Sequence, residues 1–571
     1  MYKNKKLKNM ACRKGIILQN KLLQFALLAL SQSAVAVEPP SAGTQLQQIP
    51  SLPTPQKAEP EIDIEQGRKA PAAPASDQVK IIVNSLHVTG AHAYSEAELV
   101  AVAGLTPGNE LTLTDLRGMA AKIADYYHKN GYFVAQAYLP AQDIKNGAVT
   151  IAVLEGKYGK ISLRNQTKLS DELANGLLAG LSSGDAIVHV PLESRLLLLS
   201  DLPGVAVKST LVPGASRGAS DLIVDITAGR RITGNLYIDN QGNRYTGAER
   251  YGATVNLNNP TGHGDVASLQ ALTSFDGLDY GRVSYQTQFD RVKAGLAYTG
   301  MEYRLGREFA SLDANGTAQI ASLYGSYPLI RSRRHNLYAQ LGFDAKTFQD
   351  KVDSTSKIND KQVWVGMASL IGDYRDDFGG GGLNNYSLTW TSGDIDLQTA
   401  EALAVNMATA RSNGHYDKLG FNAMRLQSVT ETVSLYAAIN GQIASKNLDV
   451  SEKMQLGGAN AVRAYPQGEA YGDEGYVLNV EARWLLPTFS ESLPGRVQLI
   501  GFIDNGTVSL NTNPWGAGQN SRTLSGGGAG LNWAGNSFAV KAYYAHKLGD
   551  EAATSAPDEE GRFWIQGVKY F

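Results

Sequence analysis

The chain has 571 residues, of which 19% are charged, with 60 glycines, 27 tyrosines and one cysteine. That length allows two to four domains. No apolar run of helical-span length occurs outside the N-terminus, which argues against a helical membrane protein; the formal net charge is −2, and the −9 left without the basic first 36 residues argues against nucleic acid as a partner.

The first segment reads as an export signal. Lys3, Lys5, Lys6, Lys8, Arg13, Lys14 and Lys21 form a basic region, Leu22 to Leu30 an apolar one, and Ala34-Val35-Ala36 supplies small residues for cleavage after Ala36. Residues 1–36 are therefore expected to be a signal peptide. The alternative is an N-terminal anchor helix, for which the apolar run is short. Cys12 precedes the apolar stretch and leaves with the signal, so no disulfide is expected in the mature chain. Loss of seven basic residues leaves 45 basic against 54 acidic, a net −9.

Residues 37–78 hold eight of the 20 prolines. They read as a Pro-rich linker, with weak support for a short helix around Gln45 to Ile64. From Val79 small α+β units begin. KIIVNSLHVTG reads as a strand and SEAELVAVAG as a short helix with a capping box from Ser95 to Glu98. TLTDLRGMAAKIADYYHKNG reads as a longer helix capped by Thr114 and ended by Gly131, with Leu116, Met119 and Ile123 at helical spacing. YFVAQAYLP and GAVTIAVLEG read as strands. The pattern then repeats: strand GKISLRN, a helix capped by Ser170, a helix ending before Pro203, and strands VAVKSTLVPG and SDLIVDITAG. Residues 79–155 and 156–229 thus look like two copies of one β-α-α-β-β unit.

After Arg230 strands of alternating character take over. In NLYAQLGFDA, Leu337, Ala339, Leu341 and Phe343 oppose Asn336, Tyr338, Gln340 and Asp344. In TVSLYAAIN, Val433, Leu435, Ala437 and Ile439 oppose Thr432, Ser434, Tyr436 and Asn440; in YVLNVEARW, Val480, Ala482 and Trp484 oppose Asn479, Glu481 and Arg483. A soluble sandwich also alternates. Full charges on the polar face, aromatics near strand ends and the terminal KYF favour a membrane barrel. The 341 residues from Arg231 to Phe571 accommodate about 16 strands.

Enzyme signatures are nearly absent. The one G-x-S-x-G match, Gly214 to Gly218, precedes a strand rather than a helix and reads as a hairpin loop. The glycine runs Gly379–Gly382 and Gly526–Gly528 lack the Gly-Lys-Ser/Thr of a phosphate loop and suit turns or strand ends. The eight histidines show no ligand spacing. No catalytic residue, metal ligand or cofactor is expected.

One loop is different. GGANAVRAYPQGEAYGDEGY, Gly457 to Tyr476, has a single central arginine, Arg463. In the later strand VQLIGFIDNG, parity places Gln498, Ile500, Phe502 and Asp504 on the lumen side. A guanidinium carried inward by a glycine-rich loop needs an acceptor, and a carboxylate suits its fork. Asp504 is the expected partner of Arg463, with Glu481 as the rival; the plain alternative is a solvated surface charge.

Together these residues resemble a known family. Two tandem units, a barrel, Val462-Arg463-Ala464-Tyr465 in a late loop, then Phe502-x-Asp504-x-Gly506 in the next strand, are similar to the TpsB outer-membrane transporters of two-partner secretion. The segment Asp239 to Asp265 resembles that family's first barrel hairpin. Ala464 departs from the pattern, where glycine usually follows the arginine. The resemblance implies a 16-stranded barrel over 230–571, two periplasmic POTRA domains (79–155 and 156–229), an N-terminal plug helix within 37–78, and a loop around 457–475 folded into the lumen. It implies an outer-membrane pore that takes an unfolded partner exoprotein from the periplasm and exports it without nucleotide. Phe571 would be the signal read by the barrel-assembly machinery, and outer-membrane lipid would surround the wall. Two other readings remain, a barrel-assembly insertase of the same superfamily and a general porin.

Overall fold

In the computed structural model the described residues are 39–50, 61–64, 79–488 and 494–571. The expected signal segment with Cys12 and Ala36, and most of the Pro-rich stretch, lie outside them.

The first α+β unit follows the expected order with local corrections. KIIVNSLHVTG forms two strands, Lys80–Val83 and Ser85–Thr89. They part at Asn84, whose amide donates to the Gly147 carbonyl at 2.8 Å and whose side chain donates to the Asn146 carbonyl at 3.0 Å. Ser95 caps the helix Glu96–Ala103 by accepting from the Glu98 amide. The Glu98 carboxylate does not close the box; it accepts from the Tyr126 hydroxyl at 2.6 Å. The cap of Leu113–Lys129 is Thr112 rather than Thr114. Thr112 and Asp115 form the reciprocal box, because Thr112 keeps extended backbone while Leu113 already begins the turn. Ser85–Thr89 runs parallel to Ala148–Leu154, which pairs antiparallel with Gln136–Tyr138, all that forms of the expected strand YFVAQAYLP.

Leu99, Leu116, Ile123, Tyr127, Val149 and Ile151 fill the core of this unit. The Tyr127 hydroxyl donates to Glu155 at 2.8 Å, and the same carboxylate oxygen accepts from the amides of His92 and Ala93 at 2.6 and 2.7 Å. Burial pushes the Glu155 carboxyl up, but these three donors outweigh it and hold the group below its ordinary value.

In the second unit Lys157–Asn165 lies parallel to Ala219–Ala228, which pairs antiparallel with Val205–Pro213. Ser170 caps the helix Asp171–Leu178, and Pro191 sits in the first turn of His189–Ser200, where its missing N–H costs nothing. Glu61–Ile64 adds a fourth strand, parallel to Val205–Pro213 with Glu61 opposite Lys208. The helix expected from Gln45 to Ile64 is thus wrong at its end. The helix is Ala42–Gln47, while the β-branched, alternating EIDI finds open ladder groups on a sheet edge. Gly214 to Gly218 forms the hairpin between Val205–Pro213 and Ala219–Ala228, with no helix after it.

Sixteen strands then close into an antiparallel barrel, from Ile232–Asp239 to Gly561–Tyr570. Closure satisfies the ladder hydrogen bonds and leaves no open edge. At the seam Asn235 pairs with Tyr570 and Asp239 with Gln566. Phe571 continues the ladder, exchanging two 3.1 Å backbone bonds with Gly234. Its ring lies over that glycine, where a Cβ would come within 2.6 Å of it. The expected outward face carries exposed Leu341, Phe343, Leu435, Val480 and Trp484, whereas Glu481 and Asp504 on the other face are buried. Among the described residues no helix is long and apolar enough to cross a membrane; the strands make the crossing. Gly379, Gly380 and Gly381 do form a turn with positive φ. Gly526–Gly528 do not: they lie inside the strand Ser521–Gly535.

The second unit meets the barrel through two turns. The Ser170 amide donates to the Gly262 carbonyl at 2.7 Å, and Arg331 bonds both oxygens of Asp201 at 2.8 Å.

Two outcomes are expected. The protein should migrate as a compact species in SDS unless heated and give a β-dominated circular dichroism spectrum. Because the folded Glu155 pKa lies below its unfolded value, its contribution is complete above the ordinary carboxylate range, near about 4.3, and is lost as pH falls through and below it. Hydrogen exchange at His92 and Ala93 in the intact protein should accelerate on acidification, and Glu155→Gln should weaken that dependence.

Candidate functional site

A long excursion joins the strands Val433–Ala444 and Glu474–Leu485. A two-residue ladder, Met454–Gln455 with Tyr471–Gly472, narrows its stem. Gly458, at φ +123°, supplies a backbone conformation that other residues rarely adopt. The turn is then closed by bonds from the Val462 amide to the Leu456 carbonyl and from the Tyr465 amide to the Val462 carbonyl, both 3.1 Å. Val462 packs with Leu456, Ile500 and Leu524, which fixes the direction of the next residue.

Arg463 points into the barrel wall and is 4% exposed. Its Nε donates to Asp504 Oδ2 at 2.8 Å and Nη2 to Oδ1 at 2.7 Å, the bidentate geometry. Its own amide adds a third bond to Oδ2 at 3.0 Å. Nη1 donates to Glu481 Oε1 at 2.8 Å. Asp504 and Glu481 are therefore joint acceptors, not rivals. Each carboxylate has a further donor: Asn479 Nδ2 at 2.7 Å on Asp504, and Arg483 Nε at 2.8 Å on Glu481. The guanidinium lies over Phe502, 3.6 Å from the ring centroid. The Arg463 carbonyl accepts from Trp564 Nε1 at 2.7 Å, which ties the tip to the last strand.

Neighbouring motif residues complete the fit. Tyr465 is buried, and its hydroxyl donates to the Glu551 carbonyl at 2.9 Å. Gly506 clears space for Leu456, whose Cδ1 would lie 2.5 Å from an added Cβ. A Cβ on Gly526 would come 2.6 Å from the Ala464 methyl. The methyl that departs from the family pattern is thus received by a glycine in the facing strand. Parity analysis missed that partner, because its glycine run reads as a turn.

The other end of the excursion is also anchored. Asp449 meets Lys361 at 2.7 Å, Glu452 meets Lys346 and Lys418 at 2.8 and 3.0 Å, and Asp473 meets Lys453 at 2.9 Å. Glu469 pairs with Arg522. The helix Ala42–Gln47 lies inside the barrel beside this loop. The Ala42 amide donates to Asp350 at 2.7 Å, Gln47 Nε2 to the Val450 carbonyl at 3.0 Å, and Gln48 Nε2 to the Tyr471 hydroxyl at 2.9 Å. Arg250, itself paired with Asp239 at 2.8 Å, donates to the Gln48 carbonyl at 2.7 Å. The Asp239 to Asp265 segment therefore helps to hold this helix. Among the described residues no group of His, Cys, Asp and Glu is placed to hold a metal ion.

A closed 16-stranded barrel behind a POTRA domain, with a short helix and an arginine loop in its lumen, defines an outer-membrane transporter whose POTRA region lies in the periplasm. The family model described as "Haemolysin secretion/activation protein ShlB/FhaC/HecB" matches residues 218–533, and the ShlB-type POTRA domain matches 81–156. The first match spans more than half of the chain, and the protein belongs to this family. It is similar to the heme/hemopexin transporter protein HuxB of Haemophilus influenzae (strain 86-028NP), with 29% identity over 95% of this chain and 97% of that one. It is also similar to the outer membrane transporter CdiB of Dickeya dadantii (strain 3937), with 22% identity over 69% and 70%. Among solved structures, CdiB from Escherichia coli superposes with a TM-score of 0.67 at 18% identity, covering 88% of this chain and 93% of that one, a likeness of fold.

Arg463→Ala would leave Asp504 and Glu481 buried without their shared cation, at a cost of about 3–5 kcal/mol. The expected result is a loop at 457–473 cleaved by protease in intact outer membranes, while heat-modifiability of the barrel persists. Gly526→Val should produce the same exposure through the clash with Ala464.

Proposed function

We propose that this transporter exports one unfolded partner exoprotein. Residues 79–155 and 156–229 serve as POTRA 1 and POTRA 2 and receive the cargo in the periplasm. An extended cargo segment adds to an exposed sheet edge there. It then threads the barrel of residues 230–571 and folds outside, which supplies the pull without nucleotide.

The observation that carries this reading is the filled lumen. The helix Ala42–Gln47 and the loop tip occupy the barrel interior through directed hydrogen bonds. A passive porin has no use for a plug held that way. Val462, Arg463, Ala464, Tyr465, Phe502, Asp504 and Gly506 act as the loop lock that keeps the lumen in register during transit. Phe571, seated on the first strand, is the segment the barrel-assembly machinery reads, and the apolar wall contacts outer-membrane lipid. The description of the family as haemolysin secretion/activation proteins supports transport of a protein cargo. The cargo here is identified by its route, not by its kind.

The test is export of a partner encoded beside this chain into the culture medium. Arg463→Ala should reduce export at least severalfold with the barrel still inserted. Removal of residues 79–229 should leave an inserted pore that exports nothing. Normal export by both variants would overturn the proposal.

A further inference from the structure

The turn Asp449–Glu452 is the junction of the plug. It touches the helix Ala42–Gln47 on one side, where Gln47 donates to the Val450 carbonyl at 3.0 Å. Gly43 packs so closely on Ser451 that an added Cβ would lie 2.5 Å from the serine Cβ. On its other side the turn ends on three wall ammonium groups. Lys361 bonds Asp449 at 2.7 Å; Lys346 and Lys418 grip the two oxygens of Glu452 at 2.8 and 3.0 Å. Lys418 also bonds the Glu452 carbonyl at 2.8 Å. These lysines come from three strands, His335–Val352, Lys357–Asp376 and Gly414–Ser428. They are separate from the strands that hold Arg463.

The lysine side chains are 14%, 2% and 17% exposed for Lys346, Lys361 and Lys418, and that of Glu452 is 3% exposed. Lifting the turn away with nothing in its place would strand desolvated cations, which is strongly unfavourable. Replacing one carboxylate by another leaves the charge balance unchanged. A cavity of about 390 Å³ adjoins the set, lined by Gln47, Lys346, Lys418, Ser451, Glu452 and Lys453, so an incoming side chain has room to approach.

We propose that Lys346, Lys361 and Lys418 form a carboxylate-exchange site for the polypeptide in transit. Acidic side chains of the threading chain replace Asp449 and Glu452 on the lysines. The turn then leaves the wall and takes the helix Ala42–Gln47 with it. Plug release is thereby coupled to arrival of cargo, while Arg463 stays on Asp504. The inference rests on the reading of the pore as a polypeptide exporter.

The test uses the full chain in planar lipid bilayers. An unstructured glutamate-rich peptide, added on the POTRA side, should raise open-channel occupancy severalfold. The matching glutamine-rich peptide, and free glutamate at equal carboxylate concentration, should not. In Lys346→Gln/Lys418→Gln the response should disappear, with heat-modifiability confirming an intact barrel. Glu452→Gln should raise occupancy without peptide. No response in the unmodified protein, an equal response in the double variant, or equal potency of the glutamine peptide or free glutamate would each overturn the proposal. Export without any peptide response would sink this inference alone. A peptide response without export of a partner would sink the exporter reading instead.

Discussion

The arrangement depends on one fact of electrostatics. A guanidinium carried to the barrel wall is nearly cut off from water, so it is stable only where anions and donors have been placed to receive it. Arg463 finds two carboxylates, each braced by its own donor, and an aromatic face beneath it. Three elements must agree for this to occur. The strand Arg496–Ser509 supplies Asp504 and Phe502, the strand Glu474–Leu485 supplies Glu481 and Asn479, and the loop turn sets the entry angle. The Arg463 cluster therefore reports on the register of two adjacent strands. Asn479 stands opposite Asp504 and Glu481 opposite Phe502; a one-residue slip would turn these side chains toward lipid.

The same rule governs the rest of the lumen. Barrel parity sends lysines and arginines inward where they meet little solvent, and the loop answers with Asp449, Glu452 and Glu469. The lumenal helix Ala42–Gln47 is short. It is held by directed hydrogen bonds to Asp350, Val450 and Tyr471 and by the paired Arg250, not by a large apolar face. Contacts of this kind exchange readily for equivalent contacts, unlike a packed core.

Much of this was legible in the chain because strand parity is a strict period. Once VQLIGFIDNG was read with Gln498 and Asp504 on one face, Asp504 had to point inward and be near the loop that precedes its neighbouring strand. Caps were less legible. Thr112 and Thr114 both precede helical spacing, and only the backbone conformation at Thr112 decides between them. Gly526–Gly528 misled because a glycine run reads as a turn, whereas here the missing side chains make room for Ala464 and Phe502. Ala42–Gln47 is too short for a periodic signal; beyond the local capping contacts of Ser41 and Thr44, the groups that hold it lie two hundred or more residues away.

Read alone, the sequence pointed to the barrel, the two α+β units before it, the inward side of the four strands read by parity and Asp504 as the favoured partner of Arg463. These follow from local periods and from the need of a buried charge for its opposite. Tertiary structure decided that Glu481 shares the guanidinium, that Gly526 admits the Ala464 methyl, that EIDI joins a sheet edge, and that Lys346, Lys361 and Lys418 meet on one turn. Each of these depends on distances across the closed lumen, which strand order and barrel curvature set and no local window of residues contains.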